Sequence, residues 1–186
     1  MPFVIASHRA TVASLRRHYG DTPIIDVTSH GPKPWVHFSP FYPHGDIPVP
    51  LSPGYVAASV EGIWQGLKVF ECADVDLTKL TNTTMHGLKR SVRSLGAVRG
   101  HRAGVDGTEL LDYAQARWRI YLPAYRYVLD HRLQNELDEL RQLGATQTVV
   151  LLDYETNTDL DDLSRPLSHA GLVVRYLDRS WPTTEV

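Results

Sequence analysis

The segment from Ser59 to Phe70 carries four side chains whose chemical types suit a reaction centre. Its sequence is SVEGIWQGLKVF, which spaces Glu61, Trp64, Gln65 and Lys68 at i, i+3, i+4 and i+7. In a helix that spacing places all four on one face. A carboxyl, an indole, an amide and an amine on one stripe indicate the wall of a pocket. The alternative is an ordinary helix surface, with the two charges solvated and the indole half buried.

The composition is that of a globular protein with one domain and its own core. The chain has 186 residues, of which 42% are hydrophobic and 22% charged. A net charge of −2 argues against broad, non-specific nucleic-acid binding but leaves room for a local basic patch. A single cysteine excludes an intramolecular disulfide. No Cys/His spacing is typical of a metal site, and the chain has neither a Walker-type loop nor a G-x-G-x-x-G motif, so we expect neither metal nor cofactor.

The sequence gives no sign of a membrane or export segment. The N-terminal sequence MPFVIASHRA has too short an apolar run for a signal peptide. No window approaches the roughly 18 apolar residues of a membrane span. We therefore expect a cytoplasmic protein without a membrane partner.

The elements predict an α+β domain, mostly helical, with a small sheet. Residues 1–30 read as a β-α-β extension, with a strand at Phe3–Ala6, a helix running from a Ser7 cap, and a strand at Ile24–Val27. Seven prolines interleaved with aromatic residues between Gly31 and Gly54 predict a rigid, packed loop.

Further elements follow from local patterns of apolar residues. The loop is expected to contain a short strand at Trp35–Phe38. The segment that carries Glu61, Trp64, Gln65 and Lys68 is expected to form a helix from Ser59 to about Glu71. Beyond them we expect a helix at Thr84–Leu95, a flexible basic turn at Arg99–Gly104, a helix over 108–144 broken near Pro123, a strand at Val149–Leu152, a helix at Pro166–Leu177 and a tail at 178–186.

Two motifs together resemble a known family. The run FSPFYP, from Phe38 to Pro43, stands about sixteen residues before SVEGIWQGLKVF. This order and spacing resemble the NADAR (YbiA-like) family, in which F-L-S-N-F-Y-P precedes T-V-E-H-Y-Y-Q-A-Q-K-F. Weaker likeness extends from about Trp35 to Tyr176. Gly62 and Ile63 replace the family's His-Tyr, and the family's D-x-x-W-G-x-G segment is absent.

The resemblance implies one NADAR-like domain over 1–186 and a hydrolase of N-glycosidic bonds. Its expected substrate is a ribosyl phosphate or an ADP-ribosyl conjugate, with ADP-ribosylated guanine in nucleic acid as one form. Such cleavage builds positive charge on the ribose, which a carboxylate stabilises or relieves by activating water. Glu61 is the expected catalytic carboxylate. Lys68 would set its protonation, bind phosphate or attack the sugar.

The same resemblance suggests which nearby side chains bind the substrate. Trp64 would offer a flat surface to a base, and Gln65 would bond ribose hydroxyls or base edges. The loop between Gly31 and Gly54, rich in proline and aromatic residues and called the aromatic loop below, would line the pocket through Ser39, Phe41 and Tyr42. The alternative for those three is a role in loop packing.

Two further pairs complete the predicted site. Lys89 and Arg90 would bind phosphates, although basic residues of this kind are commonly solvated. Asp153 ends the predicted strand and would be a second catalytic acid, with Asn157 as an orienting amide; an ordinary cap or turn is the alternative. His169 is expected to be a satisfied, partly buried histidine.

Two other functional classes remain open at this point. One is a non-catalytic module that binds ADP-ribose or a nucleotide and keeps the pocket but not the chemistry. The absence of the D-x-x-W-G-x-G segment is consistent with such a module. A structural domain without a pocket is the third possibility.

Overall fold

A computed structural model describes residues 2–183. It has the α+β architecture predicted from the sequence, with short helices and three small sheets among these residues. The internal contacts divide the chain into two compact units. The first unit combines residues 1–39 with 133–186, and the second comprises residues 40–132. Residues 184–186 of the predicted tail lie outside the described part.

The secondary structure consists of short segments throughout. The strands within residues 2–183 are β1 (Phe3–Ser7), β2 (Ile24–Asp26), β3 (Ile47–Pro48), β4 (Val56–Ala57), β5 (Lys68–Phe70), β6 (Val98–Arg102), β7 (Leu110–Leu111) and β8 (Val149–Asp153). The α-helices in the same range are α1 (Val12–Tyr19), α2 (Val60–Gly66), α3 (Val92–Leu95), α4 (Tyr113–Ala116), α5 (Leu122–His131), α6 (Gln134–Thr146) and α7 (His169–Leu177). A π-helical turn, Arg117–Tyr121, joins α4 to α5. None of the helices described is long and apolar enough to cross a membrane.

The first unit is built on a parallel sheet in the order β1-β8-β2. Its central strand β8 has the sequence VVLLD, whose first three residues are buried, as expected of a strand covered on both faces. Ser7 aligns with Asp153 in the register, so the two strands end together. The strands predicted at Phe3–Ala6, Ile24–Val27 and Val149–Leu152 are thus confirmed to within one residue at each end.

Two predictions in this unit need correction. Helix α1 is capped by Thr11, whose hydroxyl accepts the Ser14 N–H at 3.1 Å, rather than by Ser7. Trp35–Phe38 is a 3₁₀-helix instead of a strand. Local turns replace strand pairing there, since the Val36 N–H donates to the Pro32 carbonyl and the His37 N–H to the Pro34 carbonyl.

The second unit contains α2 and an antiparallel sheet in the order β5-β6-β7, and the Trp64 ring of α2 packs on His101 of β6. The predicted helix from Ser59 to Glu71 is wrong at its C-terminal end, because the helix stops at Gly66. The chain then enters β5, where Lys68 pairs with His101, and the Leu67 carbonyl accepts the Arg102 N–H at 2.9 Å. Pairing with β6 replaces the helical turn that local periodicity favours.

Longer helices predicted downstream are also interrupted. Of Thr84–Leu95 only α3 is helical, because the preceding segment contains left-handed residues at Met85 and Gly87. The stretch 108–144 breaks near Leu133 instead of Pro123. Pro123 follows the π-helical turn Arg117–Tyr121, in which the Leu122 N–H bonds to the Arg117 carbonyl, and the helical path continues through it to His131.

Two further segments differ from the structure predicted for them. The predicted basic turn after Arg99 is largely strand β6. The helix predicted from Pro166 begins later, as α7, with Ser168 as its cap.

Candidate functional site

The two sequence motifs meet at the first turn of α2. The Ser59 hydroxyl accepts the Gly62 N–H at 3.0 Å and fixes the start of the helix. The Glu61 N–H donates to the carbonyl of Pro40, in the aromatic loop, at 2.8 Å. The main chain at Glu61 is therefore held at a fixed place in the second unit, and only 9% of the residue is exposed.

Gln65 lies one helical turn after Glu61 and bonds directly to it. Its Nε2 donates to Oε1 of Glu61 at 2.9 Å. The other carboxylate oxygen has no hydrogen bond to any described residue. A buried carboxylate with one satisfied and one open oxygen is able to engage a ligand or a water molecule.

The amine of Lys68 is the second open group of this centre. Lys68 stands on β5 and not on the helical stripe, yet its charge acts on Glu61 and its Nζ lies 5.7 Å from the centroid of the Trp64 ring. Within residues 2–183 the amine has neither a hydrogen bond nor an ion pair. A long side chain in this state is free to follow a ligand.

Burial shifts the proton affinities of both groups toward their neutral forms. The pKa of Glu61 is raised by burial, which the Gln65 hydrogen bond and the charges of Lys68 and Lys89 only partly oppose. The pKa of Lys68 is lowered by burial, which Glu61 opposes and the cations Arg90 and Lys89 reinforce. Raised acid and lowered amine pKa values in one centre are typical of groups that exchange protons in catalysis.

Trp64 is packed more tightly than a base-stacking surface requires. Its ring lies over His101 at a centroid distance of 3.9 Å and meets Tyr113 and Tyr121 edge-on at 5.8 and 5.7 Å. One face of the indole is thus covered by protein. Trp64 anchors an aromatic cluster, and only its uncovered part can meet a ligand.

His101 is the residue of this centre that the sequence analysis missed. It lies on β6 directly opposite Lys68 and is 1% exposed. Neither ring nitrogen has a hydrogen bond within the described residues. Burial and the nearby Lys68 charge lower the pKa of His101 to about 3. The Trp64 main chain opposes this shift, but its contact with the ring does not have the geometry of a hydrogen bond.

Lys89 and Arg90 are adjacent in sequence but do different things. The Lys89 amine lies 5.6 Å from the centroid of the Phe41 ring. The Arg90 guanidinium donates to the main-chain carbonyls of Gln65, Lys68 and Asp74 at 3.2, 2.5 and 2.8 Å. Arg90 therefore braces the end of α2 and β5, which leaves Lys89 as the more available cation for a phosphate.

A shallow cleft of about 570 Å³ opens beside these two residues. Besides Lys89 and Arg90 it is lined by Lys79, Ser91 and Asp76 among others. The Lys79 amine already donates to the Gly87 carbonyl at 2.7 Å. The cleft has room for a polar group larger than a phosphate, and Lys89 lines it, whereas Glu61 and Lys68 are not among its lining residues.

The aromatic loop contributes only in part. Phe41 belongs to the second unit, next to Lys89, and Tyr42 packs edge-on against His44 at 4.9 Å. Ser39 is buried at 2% exposure and is the last residue of the first segment of the other unit. Its N–H closes the 3₁₀-helix on the Val36 carbonyl.

Asp153, the predicted second acid, is bound up in the first unit instead. Its Oδ2 accepts hydrogen bonds from the Ser168 hydroxyl at 2.7 Å and the Ala170 N–H at 3.1 Å, and lies 3.0 Å from Nδ1 of His169. His169 also donates from Nε2 to the Val27 carbonyl at 2.9 Å. This is a buried ion pair that joins α7 to the sheet, so the catalytic assignment of Asp153 is not supported.

Asn157 is likewise occupied within its own loop. Its amide donates to the carbonyls of Asp162 and Arg165 at 3.0 and 3.2 Å, and its oxygen accepts the Asp159 N–H at 2.9 Å. It organises a turn, which is the alternative expected for this residue. No group of three or more His, Cys, Asp or Glu in residues 2–183 is placed to hold a metal ion.

Comparison with known proteins assigns the chain to a family. Residues 7–173 match DUF6939, a family of unknown function. The chain is a member of DUF6939. The match spans all residues of the centre around Glu61 as well as Asp153 and Asn157. No curated protein and no solved structure matches this DUF6939 chain.

Proposed function

We propose that this chain is an N-glycosidase that hydrolyses the N–C1′ bond of a ribosyl phosphate or an ADP-ribosyl conjugate. The observation that carries the proposal is the buried carboxylate of Glu61, fixed by Gln65 and influenced by the charge of Lys68. Within residues 2–183, one oxygen of this carboxylate and the Lys68 amine have no hydrogen-bond partner. The resemblance of the two contacting motifs to the NADAR family supplies the bond type. We also propose a cytoplasmic location.

In the proposed reaction Glu61 acts as a general base. The open carboxylate oxygen takes a proton from water as the water oxygen bonds to C1′, and the electron pair of the N–C1′ bond leaves with the base. The proton that Glu61 has taken then passes through solvent to the departing base, so that base and free sugar are the products and Glu61 is ionised again. A raised pKa makes the carboxylate a stronger base, provided that the pH keeps it ionised.

The cations of the centre serve the rest of the substrate. Lys89 stands at the edge of the cleft and would hold a phosphate or diphosphate group. Lys68 would steer the same anionic group or donate to a ribose hydroxyl. An ADP-ribosylated guanine within a nucleic-acid strand is the larger substrate we propose, because the cleft has space beyond one phosphate.

The proposal is tested by product analysis with two defined substrates, ADP-ribosylated guanosine and an aminopyrimidine ribosyl phosphate. We expect release of the free base, a loss of roughly 10²-fold or more in kcat for Glu61→Gln, and unchanged substrate binding by that variant. Glu139→Gln, at an exposed position of α6, is the matched control. If Glu61→Gln turns over normally, Glu61 is not the base.

The second candidate is a module that binds ADP-ribose or a nucleotide without turnover. It is favoured by the engagement of Asp153, which removes the second carboxylate predicted for the reaction. Calorimetry with ADP-ribose separates the two candidates, because binding that is equal in wild type and Glu61→Gln, with no product from either, supports the module.

A further inference from the structure

The centre around Lys68 contains two polar groups that face each other without a bond. Lys68 and His101 are directly opposite in the antiparallel pair of β5 and β6, which brings their Cβ atoms to roughly 5 Å on one face of the sheet. The Lys68 amine and both ring nitrogens of His101 lack hydrogen bonds within the described residues. Buried polar groups in native proteins nearly always have partners.

Each group supplies what the other lacks. An amine or ammonium has N–H donors, and a neutral imidazole keeps one nitrogen lone pair as an acceptor. Burial keeps the pKa of His101 at about 3, so the ring retains that acceptor at neutral pH. Trp64 covers the ring on one side at 3.9 Å, which leaves the neighbouring strand as the direction of approach for a donor.

We infer that His101 is a positioning residue for Lys68: the amine donates to a ring nitrogen of His101 in one of its two positions and turns to Glu61 in the other. The amine has no hydrogen bond within residues 2–183, and both inferred contacts require a rotation of its side chain. The catalytic meaning of this pair rests on the proposed N-glycosidase function, whereas the contact itself does not.

The two positions have different consequences for Glu61. With the amine on Glu61, the open carboxylate oxygen is occupied and cannot receive a proton from water. With the amine on His101, that oxygen is free, and the charge of Lys68 still favours the ionised carboxylate. The other charged groups that act on Lys68 are Lys89 and Arg90, and their like charges favour neither position by hydrogen bonding.

The contact is measurable by NMR because the chain contains only four lysines, Lys33, Lys68, Lys79 and Lys89. Full-length protein is labelled with ¹³C at lysine Cε, and Lys68→Met assigns the Lys68 signal. An acceptor favours the ammonium form, so His101→Leu should lower the titration midpoint of Lys68. His101→Gln keeps an acceptor and should leave the midpoint close to that of the wild type. An unchanged midpoint in His101→Leu overturns the inference.

A second measurement covers the case in which His101→Leu does not fold. In wild-type protein, the ¹⁵N shift of one His101 ring nitrogen reports a hydrogen bond to its lone pair. Lys68→Met should move that shift, and Lys89→Met, which removes a cation from the same surroundings, should not. Identical His101 shifts in wild type and Lys68→Met contradict the contact.

The catalytic role is tested separately with the substrates named above. We expect His101→Leu to lower kcat about tenfold, which is the size of one hydrogen bond to a charged group, with little change in KM. His101→Gln should restore most of kcat. If the NMR contact is present and no variant or wild type shows turnover, the proposed function fails while the Lys68–His101 contact stands. If turnover is normal in His101→Leu, the positioning role fails.

Discussion

Gln65 holds Glu61 through a hydrogen bond of 2.9 Å from its amide nitrogen to Oε1 of the carboxylate. The orientation of the amide is not arbitrary, because its oxygen accepts the main-chain N–H of Arg90 at 3.2 Å. With its oxygen engaged there, Gln65 must present its NH₂ group to Glu61. The loop that carries Arg90 thereby determines how the carboxylate is solvated and held.

Replacing Gln65 by Leu should raise the pKa of Glu61 further. Burial already raises that pKa, and the Gln65 hydrogen bond is the largest of the effects that oppose it. Carbon-13 NMR of the Glu61 carboxyl group should show a higher titration midpoint in Gln65→Leu. In kinetics, the acid limb of the pH profile of kcat/KM should move to higher pH.

The matched control for this change is Gln147→Leu, at an exposed position beyond α6. It should leave both the midpoint and the pH profile unchanged. If Gln65→Leu behaves in the same way as Gln147→Leu, the hydrogen bond does not tune Glu61.

Local patterns identified the elements whose partners are implied by the residues themselves. The apolar run Val149–Leu152 was predicted to be a strand and lies in β8. Ser59 caps α2 because its hydroxyl accepts the N–H of the residue three positions later. The family resemblance implied that the two motifs share one pocket, with packing of the loop as the alternative. The two motifs meet through the Pro40 carbonyl and the Glu61 N–H.

Non-local pairing accounts for what the sequence did not reveal. Leu67–Phe70 continues the helical periodicity of α2, but pairing with β6 makes it a strand. His101 stands in the run Arg-Gly-His-Arg, which is typical of a flexible turn, and only that same pairing buries it. Arg90 was predicted to bind phosphate because it is a basic residue next to Lys89. Its hydrogen bonds to three carbonyls that are distant in sequence are not apparent from the local sequence.

Alanine substitutions of Arg90 and Lys89 should have different effects, the first on stability and the second on binding. Arg90→Ala removes three hydrogen bonds to main-chain carbonyls, and we expect it to lower the free energy of unfolding by roughly 1–3 kcal/mol. Lys89→Ala should change that free energy by less than about 0.5 kcal/mol and weaken binding of ADP-ribose instead. Urea denaturation and calorimetry measure the two effects.

The result that would contradict this division is a stable Arg90→Ala variant whose only defect is in binding. Arg90→Lys is a useful companion variant. It keeps the charge but not the planar fork of donors, so it should remain destabilised if bracing is the role of Arg90.

Asp153→Asn should reveal a buried ion pair through its effect on stability at different pH. Burial would raise the pKa of Asp153, but His169, Ser168 and Ala170 outweigh burial and lower it to about 2. Burial would lower the pKa of His169, but attraction to Asp153 and hydrogen bonding raise it above 6.5. Removing one partner of such a pair costs roughly 3–5 kcal/mol.

The sign of the pH dependence follows from these two directions. The contribution of the depressed Asp153 is present above 3.8, its ordinary value, and is lost as the pH falls toward about 2. The contribution of the raised His169 is complete below 6.5 and is lost as the pH rises through its higher folded value. The difference in unfolding free energy between wild type and Asp153→Asn should therefore be largest between those limits and shrink at alkaline pH. A difference that grows from pH 6 to pH 9 would contradict the pair.

Gly62→Ala should destabilise the second unit although alanine is the better helix former. Alanine is favoured over glycine inside a helix by about 1 kcal/mol. At this position, however, a Cβ atom would lie 2.6 Å from the Lys79 carbonyl oxygen and 3.0 Å from the hydroxyl of Ser59, which caps the same helix. The main chain cannot yield as a flexible side chain does, so we expect urea denaturation to show a net loss of roughly 1–3 kcal/mol in the free energy of unfolding.

The control variant Glu139→Ala, on the exposed face of α6, should have a free energy of unfolding within about 0.5 kcal/mol of wild type. A Gly62→Ala variant as stable as wild type would mean that α2 is free to move away from the segment ending at Lys79, and that the fixed placement of Glu61 is not enforced by this contact.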